Sequence, residues 1–206
     1  MGRPETDQLR QFAMNVLMHG LHAGEHHEDE LSVGEARLSL MRRLGVSGRS
    51  LIIVQANLAR TYQILGRHEE ALKVNRVVYL EFSKEENGEG IDTLIAANKY
   101  ATSLVELQHF EEARSLLKKT MPMARRVFGE CHLETLRLRW NYAQSIYFNA
   151  GATLDDLRVA LTTLEETAPT ARRVLGVTHP LTAGIDGSLP IVRAALRARE
   201  TQPGSS

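Results

Sequence analysis

Hydrophobic positions recur at helical spacing along most of this chain. Apolar side chains three or four positions apart, as in residues 52–65, are typical of a helix with one apolar face. A second stripe of this kind follows Gly66 and runs through Ala71, Val74, Val78 and Phe82. Gly66 lies between the two stripes, where a residue that tolerates the left-handed backbone often ends a helix. No segment shows the sustained alternation of a strand, so the pattern predicts an all-α protein.

The paired stripes repeat with a period of 42 residues. Ala59, Ala101 and Ala143 occupy equivalent positions, and residues 66–71 match residues 108–113. In the first copy, which is degenerate, residues 24–26 match residues 66–68, and Asp29 falls where the later copies have a packing alanine. The fourth copy carries five extra residues around 149–153. Self-similarity at this period indicates stacked two-helix units rather than a catalytic domain.

The period predicts one repeat domain over residues 1–200, with about nine helices. The predicted repeats span about residues 7–45, 50–87, 92–129 and 134–176. A C-terminal capping helix of about 180–200, or more narrowly 189–200, is expected to cover the exposed end of the stack, because terminal units need a polar outer face. Residues 201–206 are expected to be a disordered tail.

Composition and charge exclude several classes of function. The 206 residues carry 25 basic and 25 acidic side chains, so the formal charge is zero. Neutrality argues against binding to nucleic acid or to an anionic membrane surface. The one cysteine, Cys131, excludes an intrachain disulfide and suits a reducing compartment. No apolar run approaches the ~20 residues of a membrane span, and the N-terminal residues lack the apolar core of a signal peptide. We therefore expect a cytoplasmic protein.

Few residues suggest chemistry. Four histidines cluster near the start of the chain, and His22 and His26 have the four-residue spacing of some zinc sites. Gly24 lies between them where a helix should end, so a solvated turn is favoured over a metal site. Cys131 and His132 are adjacent in a predicted loop, which favours a plain free thiol. His132 recurs as His179, which marks it as a repeat feature that fixes the loop. We expect no enzyme activity, no cofactor and no metal.

Several short motifs resemble the tetratricopeptide repeat, in the 42-residue form of kinesin light chains. They are Asn-Leu-Ala at 57–59, Leu-Gly-Arg-His-Glu-Glu-Ala at 65–71, Leu-Gly-Val-Thr-His-Pro at 175–180, and a weaker copy of the last at 128–133. The resemblance covers about residues 15–182. It implies a right-handed α-solenoid with a peptide-binding groove. The coiled coil that joins kinesin light chains to the motor has no counterpart in this sequence, so a role in motor-cargo transport is not expected.

The resemblance also implies which side chains line the groove, because in this family the first helix of each pair forms the concave face. The predicted groove residues are Asn57, Arg60, Gln63, Asn98, Lys99, Thr102, Arg137, Trp140, Asn141, Gln144 and Tyr147. Asparagine amides suit an extended peptide backbone, and the three cations suit an acidic segment. Trp140 and Tyr147 are predicted to form an aromatic anchor. The alternatives are that several of these side chains are simply solvated, or that Trp140 packs under the insertion of the fourth repeat.

Two functions remain open at this point. The first is a scaffold that binds a protein or peptide segment in the groove. The second is a structural protein that self-associates through its first repeat. In that repeat one predicted helix is apolar on most sides, which is normally a sign of burial. Its apolar residues are Phe12, Met14, Val16, Leu17 and Met18.

Overall fold

The computed structural model describes residues 4–85, 88 and 90–201, with side chains from residue 8 onward. Within these ranges the chain forms nine α-helices and no strand, which confirms the all-α prediction. The helices are α1 (Pro4–Ala23), α2 (His27–Arg43), α3 (Arg49–Ile64), α4 (His68–Glu85), α5 (Ile91–Glu106), α6 (Phe110–Phe128), α7 (Leu133–Tyr147), α8 (Leu154–Leu175) and α9 (Pro180–Glu200). In these ranges no helix is both long and apolar enough to cross a membrane. The predicted disordered tail lies outside the described residues, except for Thr201.

The helices belong to two compact units, residues 1–85 and 86–206. In the first unit each helix from α1 to α4 packs against the next one along the chain. In the second unit α5 to α9 do the same, and α7 also contacts both α5 and α9. The first helices of successive pairs therefore lie side by side in the second unit. In the described part of the first unit no Cα atom of α1 lies within 8 Å of one in α3.

Alanines at one repeat position make this close packing possible. Ala59, Ala101 and Ala143 are all at most 1% exposed, so the 42-residue register predicted from them places each in a helix interface. A small side chain lets neighbouring helix axes approach closely, since the distance between axes depends on the side chains at the crossing. The second helices of the pairs also have a small side chain at the interface, since Ala71 and Ala113 are fully buried.

The first repeat departs from the predicted register by one residue. The turn residue with left-handed backbone is Gly66 in the second repeat and Gln108 in the third, but it is Glu25 rather than Gly24 in the first. Consequently α2 begins at His27, and Glu30, not Asp29, stands at the position of the packing alanine. Glu30 is only 1% exposed, whereas Asp29 faces solvent. A buried carboxylate needs hydrogen-bond partners, and the structure provides them as described below.

The insertion of the fourth repeat forms a capped loop. Thr153 caps α8 by accepting a hydrogen bond from the backbone N–H of Asp156, whose carboxylate accepts one from the N–H of Thr153 in return. The Arg114 guanidinium, followed by these backbone bonds, lowers the pKa of Asp156 to about 2. Arg199 of α9 donates to the carbonyls of Ala150 and Ala152, both at 2.6 Å. These bonds hold the extra residues without interrupting the helix pair.

The last helix occupies the wider of the two predicted ranges. It begins at Pro180 and continues through Gly184, Gly187 and Pro190, residue types that disfavour a helix interior. His179 caps its start by accepting from the N–H of Leu181 at 3.1 Å. His132 caps α7 in the same way, with 3.2 Å to the N–H of Glu134. The recurring histidine is thus a helix cap, in line with the role predicted for it in the loop.

Candidate functional site

The second unit contains a cavity of about 960 Å³ between α5, α7 and the beginning of α9. The first helices of two successive pairs, α5 and α7, supply most of its lining residues. The lining residues are Ile95, Asn98, Lys99, Thr102, Val105, Glu106, Gln108, Phe110, Glu134, Arg137, Trp140, Asn141, Gln144, Phe148, His179, Pro180 and Leu181. This volume lies within the range of sites that hold small ligands or segments of a partner.

Most of the residues predicted for the groove from the third and fourth repeats lie in this cavity. They are Asn98, Lys99, Thr102, Arg137, Trp140, Asn141 and Gln144. Tyr147, the last residue of α7, does not line the cavity. Asn57, Arg60 and Gln63 lie on α3 of the first unit and do not line it either. The structure thus brings the third- and fourth-repeat residues together.

The asparagines of the cavity bond to one another rather than facing outward. Asn98 is 3% exposed, and its Nδ2 donates to Glu134 Oε2 at 2.7 Å. Asn141 Nδ2 donates to Asn98 Oδ1 at 2.8 Å and to Thr102 Oγ1 at 3.0 Å. A buried amide without partners would cost free energy, so this chain of bonds is what allows the two side chains to be buried. The amides of Asn98 and Asn141, which were predicted to bind a peptide backbone, therefore join α5 to α7.

The aromatic pair is anchored to α9. Trp140 Nε1 donates to Ser188 Oγ at 3.0 Å, and the Tyr147 hydroxyl lies 2.9 Å from the same oxygen. Ser188 in turn donates to the Gly184 carbonyl at 2.8 Å. A Cβ placed on Gly184 would come within 2.6 Å of the indole ring, so the ring packs directly on the backbone of this glycine. Burial raises the pKa of Tyr147. The sequence signal for this contact is a small residue at both 184 and 188, one turn apart on α9.

Charges of both signs line the cavity. Arg137 pairs with Glu134 at 3.2 Å, and the exposed side chains of Lys99 and Glu106 add one charge of each sign. Arg60, the third predicted cation, lies 3.4 Å from Glu30 in the first unit. The cavity therefore presents a mixed polar rim around apolar walls rather than a strongly basic surface.

The N-terminal histidines are arranged differently from the prediction. His22 and His27, not His22 and His26, approach each other, with ring centroids 5.6 Å apart. Both Nδ1 atoms contact Glu30 Oε2, at 3.0 and 3.3 Å. Burial acts to raise the pKa of Glu30, but the hydrogen bonds from the two histidines outweigh it, so the pKa lies below its ordinary value. His22 meets His27 rather than His26 because the first turn is shifted by one residue, which places His27 at the start of α2. Cys131 is a free thiol and its side chain is exposed.

Comparison with known families identifies one repeat directly. Residues 93–134, which comprise α5, α6 and the start of α7, match the tetratricopeptide repeat family. The matched segment is 42 residues long, which is the predicted length of one period. No curated protein matches the sequence of this chain.

Comparison with solved structures extends the likeness to nearly the whole chain. A variant of a putative kinesin light chain from Podosopora anserina, built of nearly identical TPR-like repeats, superimposes with a TM-score of 0.75 and 18% identity, covering 97% of this chain and 91% of that one. A second structure of those repeats gives 0.70 and 19% over the same shares of both chains. BtubC (BKLC) from P. vanneervenii gives 0.58 and 17%, over 94% of this chain and 83% of that one. At these identities the likeness establishes the fold, that of kinesin-light-chain-like tetratricopeptide repeats.

Proposed function

We propose that this protein, which is a tetratricopeptide repeat protein with the fold of kinesin-light-chain-like repeats, is a scaffold that binds a segment of a partner protein in the cavity of its second unit. Repeats of this kind generally mediate protein–protein interactions through extended concave surfaces. The observation that carries the proposal is the 960 Å³ cavity, because it lies on the faces of α5 and α7 that the repeat geometry leaves open.

The walls of the cavity favour a segment that inserts apolar side chains. Ile95 and Val105 are half-buried, and Phe148 is 48% exposed at the end of α7. An exposed aromatic ring beside a cavity is typical of the residues that dominate binding energy in interfaces. Arg137 and Lys99 then supply the contacts predicted for an acidic group on the partner, while Glu134 and Glu106 restrict how much negative charge the site accepts.

The buried polar network supports this function indirectly. Since Asn98 and Asn141 bond to each other and to Glu134 and Thr102, they fix the spacing of α5 and α7 and hence the width of the cavity. A wall that is rigid before binding loses less conformational entropy when the partner docks, which favours affinity. Affinity would then come mainly from the exposed side chains around the network.

Binding should depend on Phe148 and Arg137. Peptides selected on the full chain from a displayed random library serve as probes, and fluorescence anisotropy measures their dissociation constants. Removing an exposed aromatic hot spot commonly costs more than 1 kcal/mol, so we expect Phe148→Ala to weaken binding about tenfold. Arg137→Ala should weaken the binding of acidic peptides in particular.

Val159→Ala is the matched control for this experiment. Val159 is 44% exposed, comparable to Phe148, but it lies on α8 and does not line the cavity. Its substitution should leave the dissociation constant unchanged, and circular dichroism verifies the helix content of each variant. Failure to select any peptide, or peptides that bind both cavity variants as tightly as the parent chain, would rule out this function.

A second candidate function is self-association through α1, because this helix has an exposed apolar stripe. Leu9 and Phe12 are each 68% exposed and Val16 is 55% exposed, at the spacing of one helix face. Met18, on the other side, is buried against α2 near Gly34. Within the described residues α2 is the only helix whose backbone comes close to α1, and the exposure of Leu9, Phe12 and Val16 shows that the stripe is uncovered. A second copy of the chain would bury such a stripe.

The Phe12→Arg variant tests self-association. The side chain is exposed, so the substitution should leave the fold of the monomer intact, while a charge placed in a buried apolar interface strongly disfavours a dimer. Sedimentation velocity at micromolar concentration should show a dimer for the parent chain and a monomer for the variant. A monomeric parent chain eliminates the second function and leaves the first untouched.

A further inference from the structure

Three side chains of the kinds that ligate metals converge in the first helix pair. His22 lies at the end of α1, and His27 and Glu30 lie in the first turn of α2. The two Nδ1 atoms approach the same carboxylate oxygen, Glu30 Oε2, at 3.0 and 3.3 Å. One ligating atom from each of the three residues lies within 4.8 Å of the others. The chain thus offers two nitrogens and one oxygen from two helices in a single small volume.

The spacing of these atoms matches a tetrahedral coordination shell. Zinc binds nitrogen and oxygen at about 2.0–2.2 Å, so neighbouring ligand atoms in a tetrahedral site lie about 3.3 Å apart. The two contacts of Glu30 Oε2 already have this length. The separation of the two imidazole nitrogens, at most 4.8 Å, reaches it through small rotations of rings that are partly exposed.

The surroundings orient the carboxylate and leave one side of the cluster open. Glu30 is 1% exposed, and its other oxygen, Oε1, lies 3.4 Å from the guanidinium of Arg60. Such a contact holds the carboxylate in place and leaves Oε2 for the ion, as groups behind metal ligands commonly do. The side chains of His22 and His27 are 35% and 20% exposed, so an ion and a water ligand have access from solvent.

We propose that His22, His27 and Glu30 form a binding site for a divalent transition metal of the zinc class, with water as the fourth ligand. Two imidazoles and one carboxylate suit zinc, whereas calcium and magnesium prefer shells made of oxygen. When no ion is bound, each Nδ1–H donates to the carboxylate, which satisfies the buried group. To bind the ion, each imidazole carries its proton on Nε2 and turns the lone pair of Nδ1 to the metal.

The ion would link the end of α1 to the beginning of α2. Within the described residues α2 is the only helix whose backbone packs closely against α1, so α1 depends mainly on α2 for its position. A ligand that binds only the folded state shifts unfolding to higher temperature. Binding at this site should therefore raise the melting temperature of the full chain, independently of the cavity in the second unit.

Titration of the full chain tests the proposal. After treatment with a chelator, isothermal titration with Zn²⁺ should show one tight ion per chain, and Co²⁺ should give the visible absorption of a tetrahedral site. His22→Gln and His27→Gln should each weaken zinc binding by at least about tenfold and abolish the rise in melting temperature. Glutamine keeps a hydrogen-bond donor for Glu30, and circular dichroism confirms that the variants fold.

The other histidines of the same segment provide matched controls. His19 and His26 are exposed and lie outside the cluster, and His26 immediately precedes α2. His19→Gln and His26→Gln should bind Zn²⁺ like the parent chain. If either cluster variant does not fold, Glu30→Gln replaces it with the same expected loss. No tight ion in the parent chain, unchanged affinity in the cluster variants, or an equal loss in His26→Gln would each overturn the site.

Discussion

The Gly184→Ala variant is expected to be less stable than the parent chain by about 1–3 kcal/mol, the usual cost of adding a methyl group to a filled space. The new Cβ would lie 2.6 and 2.7 Å from two carbons of the Trp140 ring. The ring cannot retreat freely, because its Nε1 donates to Ser188 one turn further along α9. The substitution must therefore move either the indole or α9. Chemical denaturation measures the loss, and the fluorescence of Trp140, the only tryptophan, reports the displacement.

Gly187→Ala is the matched control in the same helix. A Cβ at Gly187 would meet nothing within 4 Å, so only the backbone effect remains. Replacing a helical glycine by alanine stabilises by about 0.5–1 kcal/mol, and we expect this gain with unchanged tryptophan fluorescence. A Gly184→Ala variant as stable as Gly187→Ala, with the same emission, would show that Trp140 does not pack on α9 in the folded protein.

The Asn98→Ala variant is expected to lose about 1–3 kcal/mol of stability, because Glu134 and Asn141 would each lose a buried hydrogen bond. Asn98 donates to Glu134, whose side chain is 14% exposed, and accepts from Asn141, which is 5% exposed. The sequence alone predicts that this substitution weakens peptide binding and spares the fold. The structure instead predicts that both the stability of the second unit and the shape of the cavity suffer.

The Asn57→Ala variant is the matched control. It measures the effect of replacing a helical asparagine by alanine without the loss of the hydrogen-bond network around Asn98. Asn57 occupies the repeat position of Asn141 but lies half-buried on α3 of the first unit. The same chemical change there should alter the free energy of unfolding by less than about 0.5 kcal/mol, as for ordinary surface substitutions. Urea denaturation of both variants gives the comparison. If Asn98→Ala unfolds at the urea concentration of the parent chain, the amide network does not contribute to stability.

The 42-residue period was enough to predict the paired helices, because the helical spacing of apolar residues and the self-similarity of the chain are local rules. The groove residues were implied by the resemblance to tetratricopeptide repeats, and seven of the eleven lie in the cavity. The prediction of single contacts was weaker wherever the repeat is irregular. The last helix was predicted with two sets of bounds, 180–200 and 189–200, and it starts at Pro180. There Gly184 packs against the indole of Trp140, a contact that spacing along one helix does not reveal.

The first repeat is also irregular, and its turn explains why the predicted packing position was wrong there. Sequence matching aligned Gly24 with Gly66, since both are glycines, and so placed Asp29 at the packing position. The backbone uses Glu25 as the left-handed residue instead, which buries Glu30 and brings His22 and His27 onto its carboxylate. A one-residue shift in a turn rotates the following helix by about 100°. The residue types alone do not reveal which of two adjacent positions takes the left-handed conformation.

The sequence by itself determined the all-α class and the 42-residue period, because both depend on spacing along the chain, while the resemblance to tetratricopeptide repeats implied which helices line the groove. Only the tertiary structure decided which polar side chains remain available to a partner. Asn98, Asn141 and Trp140 all lie on the predicted face, yet their donors bond to residues 36 to 48 positions away in sequence. Hydrogen bonds between helices depend on distances of a few tenths of an ångström, and packing alone sets those distances.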